Sequence, residues 1–473
     1  MDRPAHPSPR PLRLALAAAL AVFALGACTE AAKLPVEAGM GPKPQLPDPV
    51  HRLLPTVDIA QATGWPEGKL PIAAPGLRVN AFATGFSHPR WLYVLPNGDV
   101  LVAESAAPPK PESDTSPSLK KFFMGKAMKK AGSAVDSANR ITLLRDADGD
   151  GVAEVRTAFL ENLFSPFGMA LVGGDFFVAN ADAVVRFPYS PGQTRIEGEG
   201  VQVAALPAGI NHHWTKNLIA SPDGSRLYAT VGSNSNIGEN GMDIEVNRAA
   251  ILEIVPATGE TTLYASGLRN PNGMDWDPAT GMLWTVVNER DEIGSDLVPD
   301  YMTSVQRGGF YGWPYSYFGQ IVDERVKPQR PDLVAKAIVP DYALGPHTGS
   351  LGLAFYRGDW FPPKYKGGIF IGQHGSWNRK PPSGYKVIFI PFAGGKPSGA
   401  AEDILTGFRV GDVAYGRPVG VIEAGDGALL VADDVGNVVW RVTPDTPRPV
   451  AKQIIPLPMD EAPMPADGEA PAD

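Results

Sequence analysis

Residues 87–105 read SHPRWLYVLPNGDVLVAES. A polar start, an apolar run, the turn Asn97-Gly98-Asp99, a second apolar run and a polar end make a strand–turn–strand unit. Asn-Gly and Gly-Asp supply the positive φ that a tight hairpin needs. The unit recurs as SPFGMALVGGDFFVAN (165–180), HWTKNLIASPDGSRLYATVGSN (213–234) and RNPNGMDWDPATGMLWTVVNER (269–290). It returns as HTGSLGLAFYRGDW…GGIFIGQHGSWNR (347–379) and GRPVGVIEAGDGALLVADD (416–434). Six copies, roughly 50 to 85 residues apart, predict an all-β fold: a six-bladed β-propeller with antiparallel four-stranded blades over residues 76–445. Parallel α/β is the rival, but the segments between copies lack helical periodicity.

In an antiparallel hairpin, the residue entering the first strand and the residue leaving the second lie at the same end. If these hairpins are the inner pairs of the blades, both sets ring one mouth. The entering residues are His88, Pro166, His213, Arg269-Asn270, His347 and Arg417. The leaving ones are Glu104, Asn180, Asn234, Asn288-Glu289, His374 and Asp433-Asp434. Of the seven histidines, five (His88, His212, His213, His347, His374) fall in or beside this ring, and only His6 and His51 lie elsewhere. A polar ring at one mouth predicts a ligand site.

The rest of the chain sets the frame. Lys+Arg number 42 and Asp+Glu 51, a formal net charge of −9, which argues against a nucleic-acid partner. With 52 glycines and 48 prolines in 473 residues the chain is turn-rich, and 44% hydrophobic content still builds a large core. Residues 1–28 have a basic front and the apolar run LALAAALAVFALGA, which ends at the single cysteine, Cys28. This predicts a secretory signal. Leu25-Gly26-Ala27-Cys28 resembles a bacterial lipobox, which implies a periplasmic protein anchored to a membrane by lipid; an ordinary signal peptide with an incidental cysteine is the alternative. Thr29 carries no Asp-type retention signal, which favours the outer membrane. One cysteine excludes internal disulfides, cysteine zinc sites and a CxxCH haem. Residues 29–75 are Pro-rich and predict a linker, 446–473 an acidic disordered tail, and 106–138 a basic insertion holding the helix candidate SLKKFFMGKAMKKAG. With the lipid tether, that insertion suggests contact with an anionic membrane or an electron acceptor; a packed surface elaboration is the alternative.

From GLRNPNG through NERDE to GGFYGWP (267–314) the sequence resembles the soluble, pyrroloquinoline-quinone (PQQ)-dependent glucose and sorbosone dehydrogenases, six-bladed propellers of the periplasm. The NERD and GSWNR wording is closer to the sorbosone branch. The resemblance implies that Arg269 and Asn270 bind the quinone and that His213, opening HxxxxL, is the base. Arg417 matches one of two cofactor-side arginines, and Asp434 an acidic residue near the cofactor. His374 or Arg379 would take the place of a cofactor lysine. Val419 stands where the second arginine is expected, Pro166 replaces a glutamine, and His212 an aspartate. The resemblance further implies a calcium held partly by the carbonyls of Arg290 and Asp291, and a structural calcium near Asp300 with the carbonyl of Tyr311.

The chemistry is coherent on its own terms. Oxidising an alcohol or hydrated aldehyde needs a base for the hydroxyl proton, which histidine suits, and a hydride acceptor, which no side chain provides. The substrate implied is a sugar or sugar aldehyde, and electrons would pass to an external quinone or cytochrome. A binding scaffold of the cell envelope is the alternative, and the Arg/His ring disfavours a calcium-dependent lactonase. Asp146-Ala147-Asp148-Gly149-Asp150-Gly151 begins like an EF-hand loop, but Thr157 stands at its twelfth position; an acidic hairpin turn is the other reading.

Overall fold

The computed structural model describes residues 30–52, 55–111 and 119–448. The predicted signal segment with Cys28, and most of the acidic tail, lie outside the described residues. The fold is almost entirely β. Among the described residues, six antiparallel sheets of four or five strands follow one another along the chain. Each is built on one predicted hairpin. The first strands are Pro89–Val94, Met169–Val172, Leu218–Ala220, Pro271–Trp276, Ser350–Phe355 and Pro418–Glu423. Their partners are Val100–Glu104, Asp175–Ala179, Leu227–Val231, Leu283–Val287, Ile369–Gln373 and Leu429–Asp433. We number the sheets one to six in this order.

Six apolar clusters hold the sheets face to face, one between each consecutive pair. Trp91 and Leu101 of sheet one meet Phe176 and Val178 of sheet two. Phe177 meets Leu227 and Leu252 of sheet three, Tyr228 meets Met274 and Tyr301 of sheet four, and Trp284 meets Ile371 and Ile388 of sheet five. Phe370 and Phe389 then pack with Val431 and Trp440 of sheet six. The sixth cluster joins Leu430 and Val439 of sheet six to Leu92 and Val102 of sheet one. Burying an aliphatic or aromatic side chain contributes about 1.5–3 kcal/mol, so each interface is a substantial store of stability.

The seams between first strands are narrow. A Cβ on Gly352 would stand 2.3 Å from the Val419 carbonyl oxygen, and one on Gly420 would stand 2.9 Å from that of Arg90. Only glycine lets these backbones approach so closely. Sheet six takes its outer strand, Leu77–Thr84, from the opposite end of the domain, paired along Val438–Pro444. Early and late chain are thereby fastened into one sheet.

The expectation of a free linker over 29–75 does not hold for its described residues. Met40–Gly41 pairs with Tyr342–Pro346 at the edge of sheet four, Ile72–Ala73 with sheet five, and Gln61–Ala62 with Val413–Ala414. Glu30 is buried. Proline-rich composition here marks an extended strap rather than a loose tether, because its backbone groups find partners on the body. The insertion holds a helix, Leu119–Ala131, and a Cβ on the following Gly132 would stand 2.8 Å from Ala62 of the strap.

Candidate active site at one end of the sheets

The hairpin geometry places the entering and leaving residues of all six sheets at one end. His213 sits in the loop that enters sheet three. Its Nδ1 lies 2.7 Å from the Ser233 carbonyl oxygen and 3.1 Å from Ser233 Oγ. A carbonyl only accepts, so Nδ1 carries the proton and Nε2 keeps its lone pair. Desolvation, followed by the Arg269 charge, holds the imidazole well below the usual histidine value. It is a neutral base at neutral pH. Lys216, fully buried, donates to the carbonyls of His213 (3.3 Å) and Trp214 (3.1 Å) and to Asn211 Oδ1 (3.1 Å), which fixes the loop.

His213 and the Arg269-Asn270 pair converge. A Cβ on Gly232 would stand 2.5 Å from His213 Cβ and 2.3 Å from Asn270 Oδ1, so both residues flank the same glycine. Asn270 Oδ1 is buried without a hydrogen-bond partner. Arg269 is spent internally. It donates to the carbonyls of Asn236, Asn288 and Glu289, to Asn236 Oδ1 and to Asp291 Oδ2.

Asp291 ties sheet four to sheet five. Its carboxylate pairs with Arg269 at 3.3 Å and with His347 Nδ1 at 3.1 Å, while His347 Nε2 faces the Gly294 carbonyl oxygen at 3.0 Å. Burial alone would lower the His347 pKa, but two acceptors on its two nitrogens raise it. His347 is an imidazolium. A second knot gathers Asp434 of sheet six, His374 Nε2 at 2.9 Å, His88 Nε2 at 3.5 Å and the Arg90 guanidinium. Burial would raise the Asp434 carboxyl, but these three partners hold it far below the usual range. Burial brings His374 down to about 4 against the pull of Asp434. Arg90 also lies 5.8 Å from the Trp214 ring, so this knot reaches the His213 loop. Arg417 packs 4.6 Å over the Tyr385 ring and donates to its hydroxyl oxygen and to the His374 carbonyl oxygen, leaving Nε buried and unpartnered.

Other expected residues are placed differently. Arg379 is buried on the strap, donating to the carbonyls of Leu34 and Pro381. Pro166 offers no polar group, and Val419 is fully buried in a seam. Glu104 is clamped bidentately by Arg140, and Asp433 accepts from Trp65 Nε1, Trp440 Nε1 and two backbone amides, so both serve the scaffold. Arg90, Ser233, Asn236 and Lys216 escaped the sequence reading. An arginine inside the apolar run PRWLYV was the one available signal for Arg90.

Some of the donors expected for calcium have protein partners. The Asp291 carbonyl oxygen accepts from Asn236 Nδ2, and its carboxylate faces two cations. The guanidinium of buried Arg290 pairs with Asp323 at 2.7 Å, a contact of its side chain and not of the carbonyl oxygen expected to bind calcium. The Asp300 carboxylate accepts from the amides of Glu289 and Ser350, from Asn288 Nδ2 and from Thr348 Oγ1. A hard dication needs several free oxygens, and the carboxylates of Asp291 and Asp300 are taken by protein donors. Asp146, Asp148, Asp150 and Glu154 do bring ligand oxygens within 4.8 Å of one another, in a turn at the end of sheet one opposite the mouth. Of the buried unpartnered groups at the mouth end, Arg417 Nε is a cationic donor that suits an anionic, polycarboxylate quinone, whereas Asn270 Oδ1 only accepts and needs an N–H or O–H donor.

The fold is similar to that of the PQQ domain of a pyranose dehydrogenase from Coprinopsis cinerea, solved in its holo form. The match has a TM-score of 0.64 and 20% identity, covering 81% of this chain and 100% of that one. The chain belongs to the family described as a domain of unknown function, DUF7133, whose model matches residues 76–380; a second model, described as TrAA12-like, matches 329–445. An uncharacterized protein of Borreliella burgdorferi is 32% identical over 243 residues, 50% of this chain and 63% of that protein. The PQQ-dependent pyranose dehydrogenase of Coprinopsis cinerea is 33% identical over 129 residues, 23% of this chain and 17% of that protein. The chain thus spans less than two thirds of either relative.

Proposed function

We propose that the six sheets close into a six-bladed propeller and that the protein is a PQQ-dependent dehydrogenase oxidising a sugar or sugar-derived aldehyde. The observation that carries this reading is the neutral His213, its Nδ1–H tied to Ser233, beside the unpartnered Asn270 Oδ1. The fold match to a quinone-binding domain and the sequence match to a pyranose dehydrogenase support it.

When bound, the quinone supplies the hydride acceptor that side chains lack. Asn270 and Arg417 would hold it. His213 Nε2 takes the substrate hydroxyl proton. As the imidazole charges, the Nδ1–H bond to the Ser233 carbonyl becomes charge-assisted and holds the ring in place. Lys216 keeps the His213 loop from swinging, and Arg90 against Trp214 braces its other side. Export and lipid attachment at Cys28 would place this chemistry in the periplasm, with electrons leaving to an external quinone or cytochrome.

The test is dye-coupled oxidation by the purified chain, with and without added quinone, across aldoses, sorbosone and other sugar aldehydes. The proposal expects quinone-dependent turnover that His213→Gln lowers by about 10²–10⁴-fold. Silence across the panel would leave the envelope scaffold as the surviving reading.

A further inference from the structure

The strap leaves almost no slack between Cys28 and the body. Glu30 is buried, its carboxylate accepting from the Ser295 amide at 2.8 Å and its carbonyl accepting from Thr56 Oγ1 at 3.1 Å. Ala32 donates to the Lys380 carbonyl oxygen at 2.7 Å. Ser295 lies in the loop leaving the second strand of sheet four, and Lys380 in the corresponding loop of sheet five, both at the mouth end. Two residues of extended chain span at most about 7 Å. A lipid on Cys28 would therefore hold this rim against the bilayer.

We propose that the mouth end of the domain, at the rim of sheets four and five, rests on the membrane surface. The inference builds on the lipid-anchor reading of Cys28. The mouth-end surface is suited to that contact. Val57, beside the Glu30 contact, is 46% exposed, and Met242, Ile244 and Val246 stand exposed in the loop that leaves the second strand of sheet three. The insertion helix, beside strap residue Ala62, exposes Met128, Lys129 and Lys130. Apolar side chains entering the headgroup layer, with lysines against anionic lipid, are the chemistry of an interfacial surface.

The full chain is tested as processed lipoprotein in phosphatidylethanolamine/phosphatidylglycerol vesicles containing headgroup-nitroxide lipid. With Cys28 acylated, an introduced cysteine is the sole thiol for a fluorophore. V57C reports the mouth rim, and P222C reports the exposed turn between the first two strands of sheet three, at the opposite end. The expected result is V57C fluorescence quenched several-fold more than P222C. Inserting twenty Gly/Ser residues between Thr29 and Glu30 should reduce that difference, by the share the short tether contributes, while the protein stays on the vesicles. Equal quenching at both ends, or stronger quenching at P222C, in vesicle-bound protein overturns the proposal. Failure of the full chain to stay on vesicles, with Cys28→Ser behaving alike, overturns the anchor reading itself.

Discussion

Gly232→Ala is the sharpest perturbation of the mouth. Residue 232 follows the second strand of sheet three, with His213 and Asn270 both packed against its α-carbon. An alanine Cβ would stand 2.3 Å from Asn270 Oδ1 and 2.5 Å from His213 Cβ. Ordinary carbon contacts begin near 3.5 Å, so the two side chains must part by about 1 Å. Asn270 is buried and the His213 loop is held by Lys216, so neither yields freely. Overpacking of this kind costs about 1–3 kcal/mol of stability. A 1 Å misplacement of a reacting group costs about 10²-fold in rate. Denaturant unfolding and dye-coupled turnover with saturating quinone measure the two effects separately. Full activity together with unchanged stability in Gly232→Ala would refute the claim that His213 and Asn270 share one basin.

Other consequences follow from the charge network. His347→Ala strips Asp291 of one of two cations; with a buried partner lost, stability should fall by about 3–5 kcal/mol in denaturant unfolding. Because the folded pKa of His347 is raised, its contribution is complete below the unfolded value near 6.5 and fades as pH rises through the folded value. His213 and His374 act oppositely. Their folded pKa values are depressed, so the unfolded chain binds more protons and stability falls from about pH 6.5 downward, for His374 until about 4. His374→Asn should flatten that slope in pH-dependent unfolding. Lys216→Met should lower kcat more than it changes KM, because the loop that carries His213 loses the bonds Lys216 donates to it.

The hairpins were legible because each carries its own turn residues and two short apolar runs, and each forms the first two strands of a sheet. The mouth followed from strand direction alone, which is why His213 and Asn270 could be brought together on paper. Pairings across distant chain were not legible. Nothing local in PRWLYV announces that Arg90 meets Asp434 some 344 residues away, and nothing near Asp291 announces His347. The strap was misread because proline-rich composition reports local stiffness, whereas Glu30 and Asn378 are fixed by partners far along the chain, Ser295 and Thr56. The seam glycines Gly352 and Gly420 stood in plain view inside SLGL and PVGV. Their role depends on a neighbouring sheet that no single-sequence pattern specifies.

The most direct measurement is calorimetric titration of the purified apoprotein with pyrroloquinoline quinone, run on the parent chain and on Asn270→Leu. One quinone per chain, with binding lost when the buried amide oxygen is replaced by an alkyl group, is the predicted outcome. No heat in the parent, or undiminished binding in Asn270→Leu, would contradict a cofactor seated between His213 and Asn270.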